Sequence, residues 1–286
     1  MGEKHSPYFL ILPAFLTLFI ITIFPFVYCV GLSFLDYNLK FKSTIFVGLQ
    51  NYVGLLQDFR FLNSLKNTGI YTITAVLSEL LLGLLIATLL NEVKRGKNIF
   101  TTFLTLPLLS TPVVMSITFK NLILHTTAGL LNYFLEFFIP YPIPWLADPN
   151  LALISVILID VWQWTPFVML ILHAGLQGLP MEPFEAARVD GASRWQTFKF
   201  ITVPLLKPII IIALLFRVTD CIKAFDIIYA ATEGGPGVAT ETMNLYAFTN
   251  AFVYLNMGYA SAIVILMFLV SYVLSTLFFK YASPVR

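Results

Sequence analysis

Six long apolar runs alternate along this chain with shorter segments rich in proline, glycine, asparagine and charged residues. A helix that crosses the hydrocarbon core of a bilayer needs about 20 consecutive apolar residues. The runs that meet this length are residues 8–35, 67–90, 99–124, 151–176, 204–224 and 258–280. The pattern predicts an all-α integral membrane protein with six transmembrane helices.

Two of these runs contain prolines, which break the helical hydrogen-bond ladder but are tolerated where neighbouring helices satisfy the freed carbonyls. Pro13 and Pro25 lie in the first run, and Pro107 and Pro112 lie in the third. We therefore expect both spans to be bent. The first run is longer than the apolar core of a signal peptide, which covers about 7–15 residues, so we interpret it as a retained helix.

Composition supports a membrane location and excludes other classes. The chain is 58% hydrophobic and 11% charged, whereas soluble domains carry about 25% charged residues. The net charge of +2, with no basic cluster among aromatic residues, does not indicate a nucleic-acid partner. Cys29 and Cys221 lie inside apolar runs and are interpreted as buried thiols. We predict no metal site, no catalytic residues and no enzyme activity, because the sequence shows neither metal-ligand spacing nor a nucleophile–base pair.

The distribution of Lys and Arg predicts the orientation, because basic residues concentrate in cytoplasmic loops. If the N-terminus is cytoplasmic, the outer loops hold only Lys40, Lys42, Arg60 and Lys66. The cytoplasmic segments then hold the larger set, which comprises Lys4, Lys94, Arg95, Lys97, Arg188, Arg194, Lys199, Lys207, Lys280 and Arg286. We therefore predict that both termini are cytoplasmic.

The longest polar segment with helical signals is residues 177–208, between the fourth and fifth runs. It contains acidic residues where a helix would begin, a proline suited to a first turn, a glycine that can close a helix, and an S-x-x-Q capping box. These residues are Glu182, Glu185, Pro183, Gly191, and Ser193 with Gln196. The segment predicts a rigid helix–turn–helix elbow, although an amphipathic loop lying on lipid headgroups would show similar features.

The same segment resembles a known motif, the EAA loop, which has the pattern E-A-A-x3-G-x9-I-x-L-P. The matching residues are Glu185, Ala186, Ala187, Gly191, Ile201 and Pro204, and Val203 stands where leucine is usual. This loop marks the membrane subunits of binding-protein-dependent ABC importers. Segments 46–52, 63–68, 162–167 and 225–240 resemble the carbohydrate-type branch of that family, so the likeness runs from about residue 8 to 280.

The resemblance implies a coupling function for the elbow and a division of labour between subunits. Residues Glu185, Ala186, Ala187, Arg188, Asp190 and Gly191 would form a coupling helix in a cleft of a cytoplasmic ATPase. Two ATPase subunits would bind ATP and Mg²⁺, and this chain would hold no cofactor. Its other expected partners are a second, related permease, an extracytoplasmic solute-binding protein, a sugar-like solute and membrane lipid. Docking of the binding protein is expected at Glu233, Gly234, Gly235 and Pro236.

The resemblance also implies a location and a domain organisation. The chain would be a multi-pass protein of a prokaryotic inner membrane. Its parts would be an N-terminal transmembrane helix at 8–35, a first extracytoplasmic loop at 36–66, and a five-helix transmembrane core at 67–280 that includes the coupling loop at 177–204. The chain contains no phosphate-binding loop of the type G-x-x-x-x-G-K-[ST], so any ATP must be bound elsewhere.

Polar residues inside the spans indicate a candidate pathway, because charges at membrane depth usually face a cavity or a partner. Asp160, Gln163, Trp164 and Phe167 share one helix face, and so do Arg217 and Asp220. Aromatic rings beside acid, amide and guanidinium groups suit a polyhydroxylated solute. The alternative is a structural pair, Asp160–Arg217 or Arg217–Asp220, that only joins helices.

Three questions stay open at the level of sequence. Glu79, in the middle of the second run, either faces the pathway or bonds a neighbouring helix. The solute is a sugar or oligosaccharide, or alternatively a polyol or a glycerol-phosphate-like compound, and Arg217 leaves an anionic solute possible. A secondary transporter driven by an ion gradient would explain the buried charges, but it would not explain the EAA spacing.

Overall fold

The structure is a computed structural model that describes residues 6–41, 43–93 and 95–282. Lys4, Lys42, Lys94 and Arg286, which entered the predicted orientation, lie outside the described residues. The described helices are α1 Ser6–Leu18, α2 Phe24–Ser33, α3 Gln50–Gln57, α4 Phe59–Glu92, α5 Lys97–Leu109, α6 Pro112–Thr118, α7 Leu130–Leu135, α8 Pro149–Gln177, α9 Glu182–Val189, α10 Arg194–Thr197, α11 Val203–Ile222, α12 Asp226–Thr232, α13 Met243–Phe248 and α14 Met257–Ala282. π-helical turns occupy Phe19–Ile23, Phe119–Ile123, Phe198–Thr202 and Thr249–Val253.

Five of these helical segments are long and apolar enough to cross a membrane. They are Ile11–Ser33, Phe59–Glu92, Pro149–Gln177, Arg194–Ile222 and Met257–Lys280. A sixth candidate, in the third apolar run, is a bent pair: Lys97–Leu109 and Pro112–Ile123 meet at a bend of 93°. The predicted all-α membrane fold is confirmed, and so is the break in the third span, where Pro112 begins the second half-helix.

Two spans begin earlier than the apolar pattern predicted. The second begins at Phe59 rather than 67, because the carboxylate of Asp58 accepts hydrogen bonds from the backbone N–H groups of Arg60 and Phe61. The fifth begins at Arg194 rather than 204, because the π-helical turn Phe198–Thr202 joins α10 to α11 without a break. Polar helix ends of this kind carry no hydrophobic signal, so the apolar runs underestimate both helices.

One compact unit comprises the described residues up to Leu62 together with Tyr246–Leu269. Strands β1 Leu35–Asn38 and β2 Ser43–Phe46 form an antiparallel hairpin in it, with Leu35 opposite Phe46. The Asn51 amide donates to the carbonyls of Ser33 and Leu35 at the base of this hairpin. The described residues of the predicted first outer loop, 36–66, therefore include most of this hairpin, helix α3 and the first turns of α4.

Asp58 is the polar centre of the same unit. Its carboxylate accepts hydrogen bonds from the hydroxyls of Tyr246 and Tyr259, in addition to the two backbone bonds that cap α4. Burial acts to raise the pKa of Asp58, but these hydrogen bonds outweigh burial and hold the pKa below its ordinary value. Asp58 thus ties the start of the second span to residues far along the chain.

The second unit comprises Asn63–Leu245 together with the described residues from Val270 onward. Helices α4, α8 and α11 pack here around a core of Ala87, Leu90, Val168, Met169, Leu172, Leu206 and Ala213. Glycines allow the close approach: a Cβ on Gly83 would meet Val168 at 2.9 Å, and one on Gly175 would meet Leu206 and Ile209 at 2.9 Å. The three helices therefore lie close enough for their polar side chains to meet.

Candidate functional site

Arg217 of α11 is the centre of a buried charge cluster that joins three spans. Its Nε and Nη2 atoms donate to both carboxylate oxygens of Glu79 in α4, at 2.6 and 2.8 Å. Nη2 also donates to Asp160 of α8 at 2.8 Å. The three residues are 2%, 0% and 3% exposed, respectively. Buried charges of this kind persist only when they are paired with good geometry, and the bidentate fork of Arg217 supplies it.

Cys221 completes the surroundings of the guanidinium. Its Sγ lies 3.3 Å from Nη2 of Arg217. The ligand atoms of Glu79, Asp160 and Cys221 lie within 4.8 Å of one another, which is a grouping that a metal ion could use. In this structure Arg217 donates to all three side chains, so a guanidinium already supplies the positive charge. Sequence spacing could not reveal this group, because its members come from three different helices.

A cavity of about 250 Å³ opens beside this cluster. The residues that line it are Tyr71, Pro112, Asp160, Trp164, Arg217, Asp220, Cys221, Lys223, Ala224, Phe225, Asp226 and Ile227. The guanidinium carbon of Arg217 lies 4.8 Å from the centroid of the Trp164 ring, within cation–π range. The fully buried hydroxyl of Tyr71 lies next to Asp160, and no well-formed hydrogen bond to a described residue satisfies it.

The predicted pathway residues have three kinds of position. Asp160, Trp164, Arg217 and Asp220 line the same cavity. Phe167 packs edge-on against Trp164 at 6.1 Å and against Phe216 at 6.3 Å, and so supports the aromatic wall. Gln163 and Glu79 have other positions, described next. Tyr71 was not predicted, since a tyrosine in an apolar run carries no distinct signal.

Gln163 faces the broken third span, where its amide donates to the carbonyl of Ser110 at 2.9 Å. This bond satisfies a backbone acceptor at the break between α5 and α6. Of the two positions considered for Glu79, the structure has the hydrogen bond to a neighbouring helix. Of the two structural pairs considered, Asp160–Arg217 is present, whereas Asp220 pairs with Lys223 at 3.7 Å.

The elbow between α8 and α11 has the predicted local design. Helix α9 carries Glu182 and Glu185 in its first turn, and Gly191 has φ +71° just beyond its end. The capping box is confirmed: Ser193 Oγ accepts from Gln196 N–H at 3.3 Å, and the Gln196 side chain accepts from Ser193 N–H at 2.8 Å. The elbow is therefore two short capped helices joined by a left-handed glycine.

The predicted coupling residues differ in how accessible they are. Glu185, Ala186, Arg188, Asp190 and Gly191 are exposed, whereas Ala187 is 7% exposed and packs within the chain. The elbow also exposes large apolar side chains outside the predicted coupling residues. They are Met181, Val189, Trp195 and Phe200. An exposed apolar surface on a polar segment is typical of a site for another protein.

The segment after α12 contains the predicted docking residues. Glu233 is exposed and ends the helix with φ +54°, and Gly234 follows with φ +91°. A hydroxyl pair, Thr232 and Thr240, closes this turn at 2.7 Å.

Two asparagines of α4 brace the same turn. The side-chain amides of Asn63 and Asn67 both donate to the carbonyl of Val238, at 3.0 and 3.2 Å. Asn67 also donates to the carbonyl of Glu241 at 3.1 Å. The segment is therefore a preformed surface fixed to the second span.

Comparison with known proteins identifies the kind of chain to which these features belong. Residues 79–284 match the family model of the binding-protein-dependent transport system inner membrane component. The trehalose/maltose transport system permease protein MalF of Thermococcus litoralis is 37% identical over 270 residues, covering 93% of this chain and 90% of that protein. The trehalose transport system permease protein SugA of Mycobacterium tuberculosis is 33% identical, covering 98% of this chain and 89% of that protein.

A solved structure matches the fold. The crystal structure of a bacterial alginate ABC transporter, in complex with an alginate pentasaccharide-bound periplasmic protein, contains a chain that superimposes with a TM-score of 0.83 at 20% identity. The match covers 96% of this chain and 93% of that chain. The resemblance inferred from the EAA spacing is confirmed. This chain belongs to the binding-protein-dependent transport system inner membrane components and is a multi-pass permease subunit of an ABC importer, not an enzyme.

Proposed function

We propose that the cavity beside Arg217 is part of the translocation pathway for a sugar or oligosaccharide. The observation that carries this proposal is the wall in which the Trp164 ring stands beside Asp160, Arg217 and Asp220. An aromatic face packs against the C–H surface of a sugar ring, and carboxylate and guanidinium groups bond its hydroxyls. The unsatisfied hydroxyl of Tyr71 would add a further hydrogen-bonding group.

The relatives support a sugar but leave its charge open. The relatives include permeases of trehalose and maltose transport systems, whereas the matched crystal structure carries alginate. A polyol or a glycerol-phosphate-like solute is the alternative. We favour the sugar because the cavity combines a ring-stacking surface with several hydroxyl-binding groups, which a small polyol would not need.

The elbow would transmit the movement of the ATPase subunits to the spans. Helix α9 presents Glu185 and Ala186 to a partner, and the apolar side chains of Val189 and Trp195 extend that surface. Arg194 of α10 begins the fifth span, which carries Arg217. A displacement of the elbow would therefore move the pathway wall directly, since a continuous helical segment connects them.

The docking segment would receive the solute-binding protein on the opposite side of the membrane. The segment from Glu233 to Pro236 follows the C-terminal end of the fifth span, whereas the elbow precedes that span. One crossing therefore separates the two surfaces. With the elbow cytoplasmic, both termini are cytoplasmic as well. We propose that a second, related permease completes the pathway and that two ATPase subunits bind ATP and Mg²⁺.

Uptake measurements on matched tryptophan variants test the sugar pathway. Trp164 lines the cavity, whereas Trp162 on the same helix is 57% exposed and faces away from it. We expect Trp164→Ala to reduce uptake of radiolabelled trehalose or maltose at least about tenfold, which corresponds to about 1.4 kcal/mol of lost binding. Trp162→Ala should remain near wild type.

Equal uptake by the wild type and by a Trp164→Ala chain present in the membrane at normal amounts would contradict the pathway assignment. A second measurement addresses the energy source: uptake should require ATP and survive an uncoupler. Uptake that an uncoupler abolishes while ATP is maintained would favour an ion-coupled transporter.

A further inference from the structure

The charge balance of the cavity wall suggests which solutes the pathway accepts. Three carboxylates line the cavity, those of Asp160, Asp220 and Asp226, against the two cationic side chains of Arg217 and Lys223. One negative charge is therefore in excess. Glu79, which is fully buried against Arg217, adds a second.

Arg217 is the residue with which an anionic solute would be expected to pair, but its positive charge already faces two buried carboxylates. Nε and Nη2 donate to Glu79, and Nη2 donates to Asp160. The Nη1 group could still donate to a solute oxygen, but an incoming carboxylate, phosphate or sulfonate would bring a third negative charge to a guanidinium that already pairs with Glu79 and Asp160. The addition is unfavourable, because like charges repel and a buried charge without a partner of its own costs several kcal/mol.

We propose that the pathway rejects anionic solutes and accepts uncharged sugars, and that Glu79 sets this selectivity by occupying Arg217 from outside the cavity. This inference depends on the cavity being the solute pathway, as proposed above. Glu79 is a positioning residue here, since it acts through Arg217 and contacts no solute. Selectivity of this kind is created by an unfavourable charge placed against the wrong ligand.

The field inside the cavity can be measured without any solute. Ala224 lines the cavity and is half-buried, so a cysteine at this position reports on local ion concentration. The chain has only two natural cysteines, Cys29 and Cys221, which would be replaced in the reporter as Cys29→Ala and Cys221→Ser. The full-length Ala224→Cys reporter in membrane vesicles would be treated with a cationic trimethylammonium-ethyl or an anionic sulfonatoethyl methanethiosulfonate. Unreacted thiol is then counted by a polyethylene-glycol maleimide gel shift.

The first quantity is the rate of reaction with the cationic reagent divided by the rate with the anionic reagent. Dividing it by the same quantity for a free thiol gives the reporter ratio. Thiol access and ionisation affect both reagents, so the ratio isolates the electrostatic contribution. We expect a ratio of at least about ten at low ionic strength, because clefts lined by one sign of charge enrich counter-ions by about ten-fold to a thousand-fold. The ratio should fall as salt is added.

Matched carboxylate variants assign the effect to Glu79. Glu79→Gln should reduce the ratio several-fold. Glu92→Gln removes an exposed carboxylate at the end of the same helix and should leave the ratio unchanged. A reporter ratio at or below one overturns the proposal, and it does so even if the Glu79→Gln chain is not recovered. An unchanged ratio in Glu79→Gln overturns the role of Glu79.

A failure of the proposed charge selectivity can be distinguished from a failure of the proposed sugar pathway. Normal sugar uptake by Trp164→Ala together with a high reporter ratio refutes the pathway assignment alone. Sugar uptake that depends on Trp164 together with a ratio at or below one refutes only the charge selectivity.

Discussion

Charged side chains meet opposite surroundings in two regions of this permease. Around Arg217 they are at most 3% exposed and bind one another across three spans. On the elbow, Glu185, Arg188 and Asp190 are exposed to solvent. The buried charges are fixed by the cost of leaving any one of them unpaired, whereas the exposed charges are free to bind another protein.

This difference shows that charged side chains have two separate functions in the chain. The cluster fixes the relative positions of α4, α8 and α11, and it shapes the electrostatic field of the cavity. The elbow relies on backbone devices for its rigidity, namely a left-handed glycine and a capping box, and keeps its charges available. Variants in the two regions should therefore fail in different ways.

The largest effect is expected for Arg217→Ala, which leaves Glu79 and Asp160 buried without their cation. Loss of one partner of a buried ion pair costs about 3–5 kcal/mol. The thermal midpoint of the purified protein in detergent and its monodisperse yield should both fall. The matched control is a triple variant, Arg217→Met with Glu79→Gln and Asp160→Asn, which removes all three charges and should recover part of the loss.

An Arg217→Ala chain as stable as the wild type would show that the cluster does not hold the spans together. The expected instability also explains why Arg217→Ala is a poor test of transport. Reduced uptake in that variant would not distinguish a lost solute contact from a misassembled bundle. Trp164 offers the cleaner test, since its removal leaves the ion pairs in place.

Gly191→Val should have the next largest effect and should change function rather than assembly. A left-handed conformation costs an ordinary L-residue about 1–2 kcal/mol, and no atom lies within 4 Å of the place where a Cβ would be added. The substitution should therefore strain the backbone turn between α9 and α10 without causing a steric clash. We expect the chain to reach the membrane in normal amounts while solute-dependent ATP hydrolysis by the assembled importer falls.

Asparagine tolerates the left-handed region better than other non-glycine residues, so Gly191→Asn serves as the matched variant. It should retain more coupling than Gly191→Val. Equal coupling in both variants and the wild type would contradict the view that the elbow must be stiff and correctly angled.

A smaller loss is expected from Ser193→Ala, which removes the acceptor of the capping box. Loss of such a cap typically costs about 1 kcal/mol. Amide hydrogen exchange in residues 194–202 should accelerate, while exchange near the Arg217 cluster stays unchanged. Ser193→Thr keeps the acceptor and should exchange nearly as slowly as the wild type. Equal exchange in the alanine variant would mean that α10 does not depend on its cap.

The elbow and the spans were predictable from sequence because their signals are local. The capping box Ser193–Gln196 and the left-handed Gly191 follow from spacing within one short segment, and the five long spans and the bent pair follow from apolar length. The cluster was only partly predictable. Helical spacing placed Asp160 and Arg217 on inward faces, but the bidentate bond to Glu79 joins residues 138 positions apart, and no pattern within one helix encodes it.

The helix ends and supporting residues were the least predictable features. The early start of α4 depends on the side chain of Asp58, which sits in a polar segment without hydrophobic signal. Gln163 was placed on the pathway face by spacing, yet its amide bonds the carbonyl of Ser110 at the break in another span. Such contacts depend on how helices dock, which periodicity does not determine.

The smallest effect is expected for the pair Asp220 and Lys223, which lines the cavity and is partly exposed. Asp220 pairs with Lys223 at 3.7 Å, and the two side chains are 46% and 60% exposed. Exposed pairs contribute about 0–1 kcal/mol, so a double-mutant cycle with Asp220→Asn and Lys223→Met should give a coupling free energy within that range. The same cycle on Arg217→Met and Asp160→Asn should give a much larger value. A third cycle, on Arg217→Met and Asp220→Asn, should give a coupling free energy near zero. A strong coupling there would support the alternative pair Arg217–Asp220, and it would contradict the distinction between buried and exposed charges on this helix.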